Sequence, residues 1–257
     1  MFRHRAFAFA AALLAMTAVA SADPRPFTFS NDTYAMGKGD WEFEQHVTWK
    51  SHKDDDSGFN RIDFREEFEF GLTDNFDLAV YLPTWRYEDA EDDDGTTFQS
   101  VDVEGIVYFT NPVTDAVGLG LYNEVKIGDE FLGFETKLLV QKDVGNWVFL
   151  YNLVAETTIE GLFNAEDEEN EVEGELKNTF GVAYALTDGI FVGGEAIVET
   201  VFEEWSHYED THVYAGPVVS FQNLGNFWVT ITPTFLLTQD DEDEADFQVR
   251  MIAGYQF

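Results

Sequence analysis

Carboxylates recur at every second residue inside stretches that are otherwise apolar. Glu42 and Glu44 alternate with Trp41 and Phe43 in WEFEQHVTWK, and Asp63, Glu67 and Glu69 lie among Ile62, Phe64, Phe68 and Phe70 in RIDFREEFEF. A period of two puts each kind on its own side of an extended chain. Followed through the sequence, the polar side carries fourteen acids, Glu42, Glu44, Asp63, Glu67, Glu69, Asp77, Asp102, Glu104, Glu124, Glu135, Glu156, Glu175, Glu195 and Glu199. It carries six bases, Arg61, Arg65, Lys126, Lys137, Lys177 and Arg250. Carboxylates in surplus around a water-filled path draw cations through it. Neutralised by the bases, they would instead prop a closed, salt-bridged wall. The excess of acids favours a narrow, cation-preferring pore for small solutes. A structural or surface-interaction role with a closed lumen is the alternative.

Other chemistry finds fewer residues. A nucleophile needs its base within hydrogen-bond reach, and neither Ser100 nor Ser220 falls in a motif with His46 or His212. A lipid-modifying enzyme is therefore the weaker reading, no catalytic residue is assigned, and His46 reads as a polar lumen residue. The chain has no cysteine, so disulfides and thiolate metal sites are excluded. No phosphate-binding loop, zinc-binding helix or dinucleotide fingerprint occurs, which leaves no cofactor and no assigned metal site. Asp54, Asp55 and Asp56, and the run from Asp240 to Glu244, could attract divalent cations diffusely through oxygen ligands. Their spacing is not that of an EF-hand, and solvated charge is the simpler account. A formal net charge of -36 excludes nucleic acid as a partner.

The elements that carry these residues are strands. Twelve segments of roughly ten alternating residues are legible between Asp40 and Phe257. Their connectors alternate between tight turns such as LTDN, DVGN, LTDG and NLGN and long acidic loops such as SHKDDDSG and QDDEDEAD. Residues 1–22 have the basic start, apolar run and small-residue end of a signal peptide. Residues 23–39 are expected as an N-terminal periplasmic segment and 40–257 as the barrel. The predicted fold is an all-β, transmembrane, antiparallel up-and-down β-barrel of about 12 strands, with short periplasmic turns and long acidic extracellular loops. Aromatics near strand ends, among them Trp41, Tyr108, Phe109, Trp147, Phe227, Trp228 and Tyr255, are expected to form interfacial girdles. Glu66, Gln45, Asn123 and Asn178 fall on the apolar side, and Pro217 and Pro233 are expected to interrupt two strands.

The segment DFQVRMIAGYQF places Val249, Met251, Ala253, Tyr255 and Phe257 at alternate positions up to a final Phe. It resembles the terminal-strand signal of bacterial outer-membrane β-barrel proteins. GLTDNFDLAVYLP and ALTDGIFVGGEAIV are similar to turn-strand units of small outer-membrane transporter families. The resemblance implies the bacterial outer membrane as location, outer-membrane lipid as surroundings, and the barrel-assembly machinery as the reader of Val249, Met251, Tyr255 and Phe257.

Overall fold

The computed structural model describes residues 25–90, 94–162, 170–238 and 244–257, and every regular element among them is a β-strand. In chain order these are β1 Trp41–Ser51, β2 Asn60–Thr73, β3 Phe76–Tyr81, β4 Trp85–Asp89, β5 Asp94–Phe98, β6 Ser100–Thr110 and β7 Gly118–Gly128. Then follow β8 Phe131–Val144, β9 Trp147–Glu160, β10 Glu171–Thr187, β11 Ile190–Glu203, β12 His207–Leu224, β13 Phe227–Leu236 and β14 Phe247–Gln256. The expected signal peptide and most of the run from Asp240 to Glu244 lie outside the described residues.

The fourteen strands form twelve staves, because β3 with β4 and β5 with β6 are each one stave broken midway. All pairings are antiparallel, staves consecutive in the chain lie side by side, and β1 pairs with both β14 and β2, so the sheet closes. Among the described residues every strand but β5, which pairs with β4 alone, is paired on both sides, and a closed ladder is the condition for a backbone in lipid. The break lies at Leu82 to Thr84, where Pro83 has no N–H to give a ladder. Glu66 stands opposite it, and its carbonyl accepts from Leu82 N at 2.8 Å. The irregularity beside Glu66, which falls on the apolar side, thus sits in the neighbouring stave.

The tight turns follow from local chemistry. Gly145 and Gly225 take φ of 62° and 79° in DVGN and NLGN, a conformation that costs glycine nothing. The outer wall is apolar: Val101, Val103, Ile127, Phe134, Leu138, Phe149, Phe180, Val182 and Phe235 are all exposed. In water so wide an apolar surface would aggregate; around a closed β-barrel it is the lipid-facing belt. Phe109, Trp147, Phe221, Phe227, Tyr255 and Phe257 edge it at the short-turn end.

Two aromatics expected in that girdle point inward. Trp228 is 1% exposed and donates from Nε1 to Glu42 Oε1 at 2.5 Å, and Tyr108 packs with Ile106, Tyr122 and Leu139. In both cases the pleat decides, because Phe227 and Phe109 beside them take the outward positions. Gly254 makes the room, since a Cβ there would stand 2.2 Å from the indole nitrogen.

The polar outward residues are satisfied sideways. Asn178 accepts from Tyr151 Oη at 2.9 Å, Asn123 from Thr136 Oγ1 at 3.0 Å, and Gln45 donates to the His46 carbonyl at 3.1 Å. Pro217 and Pro233 lie inside continuous strands; what fails is the β12–β13 ladder, which skips from Ala215↔Phe235 to Val219↔Ile231.

Candidate lumenal site

Inward positions follow the strand parity, and the structure sets the fourteen acids and six bases on the inner face. Glu42, Glu44, Glu67, Asp77, Asp102, Glu104, Glu124, Glu135 and Glu195 are buried; Asp63, Glu69, Glu156, Glu175 and Glu199 are half-buried. Burying so many charges is costly unless partners accompany them, and two sets of partners do.

The first set is a belt of ion pairs on the loop side. Arg61 and Arg86 share Asp63 at 3.0 and 2.7 Å. Arg65 bridges Asp102 at 3.1 Å and also Glu124. Lys126 joins Glu135 at 3.5 Å and Glu156, while Lys137 meets Glu135 at 2.8 Å. Lys177 reaches Glu199 at 3.3 Å, Glu156 at 3.4 Å, and Glu175. The belt therefore runs along the wall from β2 to β11.

Arg250 departs from this pattern. Its Nη2 meets Nδ1 of His46 at 3.3 Å, and its Nε is buried without a hydrogen-bond partner.

The second set of partners comes from the chain itself. Residues 25–39, expected as a periplasmic segment, lie along the inner wall at the short-turn end. Thr28, Phe29 and Ser30 donate their backbone N–H groups to the Glu195 carboxylate at 2.9, 3.0 and 3.0 Å. Asn31 N donates to Asn152 Oδ1 at 2.7 Å, Thr33 N to Gln141 Oε1 at 2.7 Å, and Met36 N to Asp77 Oδ2 at 2.9 Å. Arg25 binds Glu44 through Nη1 at 2.6 Å, and its carbonyl accepts from Gln222 at 3.2 Å.

Phe27 is the segment's apolar anchor. It is fully buried among Val148, Leu150, Ala183, Phe191 and Val218, an inner patch without charge. Gly181 opens the socket, since a Cβ there would stand 2.8 Å from the Phe27 ring. Burial of one such ring contributes about 1.5–3 kcal/mol.

The segment divides the lumen. On the loop side a cavity of about 450 Å³ remains between Phe29, Arg65, Lys137, Glu156, Lys177 and Arg250. On the short-turn side a cavity of about 50 Å³ lies among Arg25, Asp32, Tyr34, Glu42, Glu44 and Glu69.

Alternation alone could not show the segment's place or Arg25 as a lumenal cation; Lys50, on the face of Glu42, Glu44 and His46, and Arg86, between Trp85 and Tyr87, were missed although strand parity marks both. One signal was present: WVFLYNLV in β9 is apolar on both sides, so its inner face requires an apolar partner. Ser100 Oγ pairs with Thr84 at 3.0 Å and Ser220 Oγ with Thr230 at 2.7 Å. Among the described residues, the one group of histidine and carboxylates near enough to hold an ion is Glu44, His46 and Glu67. In the loop at Asp54–Asp56, the Asp56 carboxylate caps Gly58 N at 2.8 Å.

Solved structures with this fold are outer-membrane proteins. The COG4313 outer membrane channel from Pseudomonas putida F1 superposes with a TM-score of 0.65 at 10% identity, over 90% of this chain and 100% of that one. The KdgM porin in complex with disordered oligogalacturonate gives 0.54 at 9% identity, over 84% and 99%. The NanC porin gives 0.52 at 8% identity, over 84% and 98%. At such identities the likeness establishes the fold of an outer-membrane β-barrel. No curated protein matches the sequence. The model of the family of unknown function DUF6662 matches residues 19–249, and the chain belongs to that family.

Proposed function

We propose that the chain is an outer-membrane channel for small solutes that prefers cations and is closed, in the conformation described, by its own residues 25–39. The observation that carries this reading is the pairing of the segment with lumenal acids. Arg25 and the N–H groups of residues 28–36 occupy Glu44, Glu195 and Asp77. With the segment withdrawn, those three and Glu42, Glu67, Glu69 and Glu104 would line the short-turn half of the path, while the belt bases stay with their own acids. Acids lining a water-filled path favour cations. The 450 Å³ cavity supports a channel over the closed structural barrel, because the belt holds the wall and leaves the centre free.

Single-channel recording in planar bilayers tests the proposal. The protein lacking residues 25–39 should conduct more often and in larger steps than the full chain, with a reversal potential favouring cations. Absence of conductance from both would leave the salt-bridged structural barrel. Preference for anions would point instead to Arg250, the lumenal base with no carboxylate partner among the described residues, and to acidic solutes. The terminal strand, with Val249, Met251, Tyr255 and Phe257 on its lipid side, is proposed as the segment read by the barrel-assembly machinery.

A further inference from the structure

We infer that Glu44, His46 and Glu67 form a site for one divalent transition-metal ion, and that Arg25 of the N-terminal segment competes with the ion for it. The β1–β2 register sets Glu44 opposite Glu67, and His46 follows on the same face of β1. One ligand atom from each lies within 4.8 Å of the others. His46 Nε2 is 2.8 Å from Glu44 Oε2 and 3.7 Å from Glu67 Oε1. Ligands about 2.0–2.2 Å from a zinc-like ion stand roughly 3.3–4.2 Å apart, so small side-chain shifts complete the set. All three residues are at most 3% exposed, which places the ligands away from competing solvent.

Two further observations point to a cation. Glu67 Oε2 is buried with no hydrogen-bond partner, so this carboxylate holds an acceptor that the present contacts leave unused. The cavity of about 50 Å³ reaches Glu44 and is lined by Arg25 but not by His46 or Glu67, so an ion reaches the three ligands by taking the place of the guanidinium. Two guanidiniums flank this place: Arg25 Nη1 is 2.6 Å from Glu44 Oε2 and 4.0 Å from Glu67 Oε1, and Arg250 Nη2 is 3.3 Å from His46 Nδ1 and must turn away for the imidazole proton to move to Nδ1 and free Nε2 as a ligand. The Arg25 charge faces two carboxylates there, with Glu42 and Glu69 on the same inner face. A divalent ion compensates that charge better. An imidazole with two carboxylates suits Zn²⁺, Co²⁺ or Mn²⁺ rather than Mg²⁺ or Ca²⁺, which take oxygen alone.

Arg25 Nη1 lies on both Glu44 oxygens, at 2.7 and 2.6 Å, so an ion on Oε2 meets the guanidinium charge at contact distance and the two exclude each other. An ion in the site removes the first anchor of the N-terminal segment, while Glu195, Asn152 and Gln141 keep the remainder. The inference does not rest on the conductance reading, because binding is measured without current.

The test is Co²⁺ titration of the purified full chain in detergent, with excess Ca²⁺ to occupy the loop acids, read by the visible absorption of cobalt bound to nitrogen and oxygen. Arg25→Ala leaves the barrel strands untouched and should tighten Co²⁺ binding by about tenfold or more, since it removes a charge some 4 Å from the ion. His46→Gln should abolish the nitrogen-ligand spectrum, and Glu67→Gln should weaken binding by about tenfold or more. Equal affinity in the full chain and Arg25→Ala, an unchanged spectrum in His46→Gln, or no cobalt band in either the full chain or Arg25→Ala would each overturn the site.

Discussion

Glu195 takes four hydrogen bonds from residues 28–30, three of them from the backbone, and a fifth from Thr232 Oγ1 at 2.7 Å. A carboxylate can accept that many; an amide has one oxygen and would turn its NH₂ toward donors. Bonds to a charged acceptor are worth about 1.5–3 kcal/mol each, so Glu195→Gln should release the segment while leaving the strands paired. Hydrogen exchange at residues 28–30 should speed up by an order of magnitude or more, and unchanged protection would remove Glu195 from the role of anchor. Glu244, at the loop rim, shows a different balance. Burial pushes its carboxyl up, but Lys50 at 3.6 Å and the Tyr214 hydroxyl at 2.9 Å outweigh burial and hold it below the usual carboxylate range. A lowered folded pKa adds stability that is complete above the ordinary carboxylate value and lost as pH falls through the folded one. Exchange at Ala245 and Asp246 should therefore accelerate on acidification below about pH 4, and Lys50→Gln should move that onset upward.

At the scale of elements, β12 and β13 pass close to each other at Gly216, where their ladder is interrupted. A Cβ on Gly216 would stand 1.8 Å from the Pro233 carbonyl oxygen, which is backbone and cannot swing aside. Gly216→Ala should cost about 1–3 kcal/mol and lower the temperature at which the barrel loses its folded electrophoretic mobility. The same change at Gly95, where nothing lies within 4 Å, should be silent. The staves themselves were legible from residues 40–257 because a strand's pleat is local: each apolar or charged side chain reports its own face. The two broken staves were less so. Pro83 marks the break in the first, but nothing near Gln99 marks the second; β5 ends there because its partner β4 begins only at Trp85, opposite Phe98.

For the whole molecule, closure and filling are separate questions. The seam is made by β1 and β14, where Phe257 N donates to the Trp41 carbonyl at 3.1 Å and the two rings stack at 3.7 Å and 2°. Phe257→Ala should lower the yield of assembled barrel in the membrane with little change in the barrels that do form. Equal yield would argue against the terminal strand as the assembly signal. By itself, the sequence determined the all-β class, the twelve staves, the two kinds of connector and the parity of the inner acids. These depend on neighbours one or two residues apart. Only the tertiary structure decided that residues 25–39 enter the lumen, that the belt bases have acidic partners, that Arg250 has none among the described residues, and that Glu44, His46 and Glu67 converge. The reason is distance along the chain. Thr28 and Glu195 are 167 residues apart, Arg25 and Thr230 are 205 apart, and no local spacing reports which walls face each other until the sheet has closed.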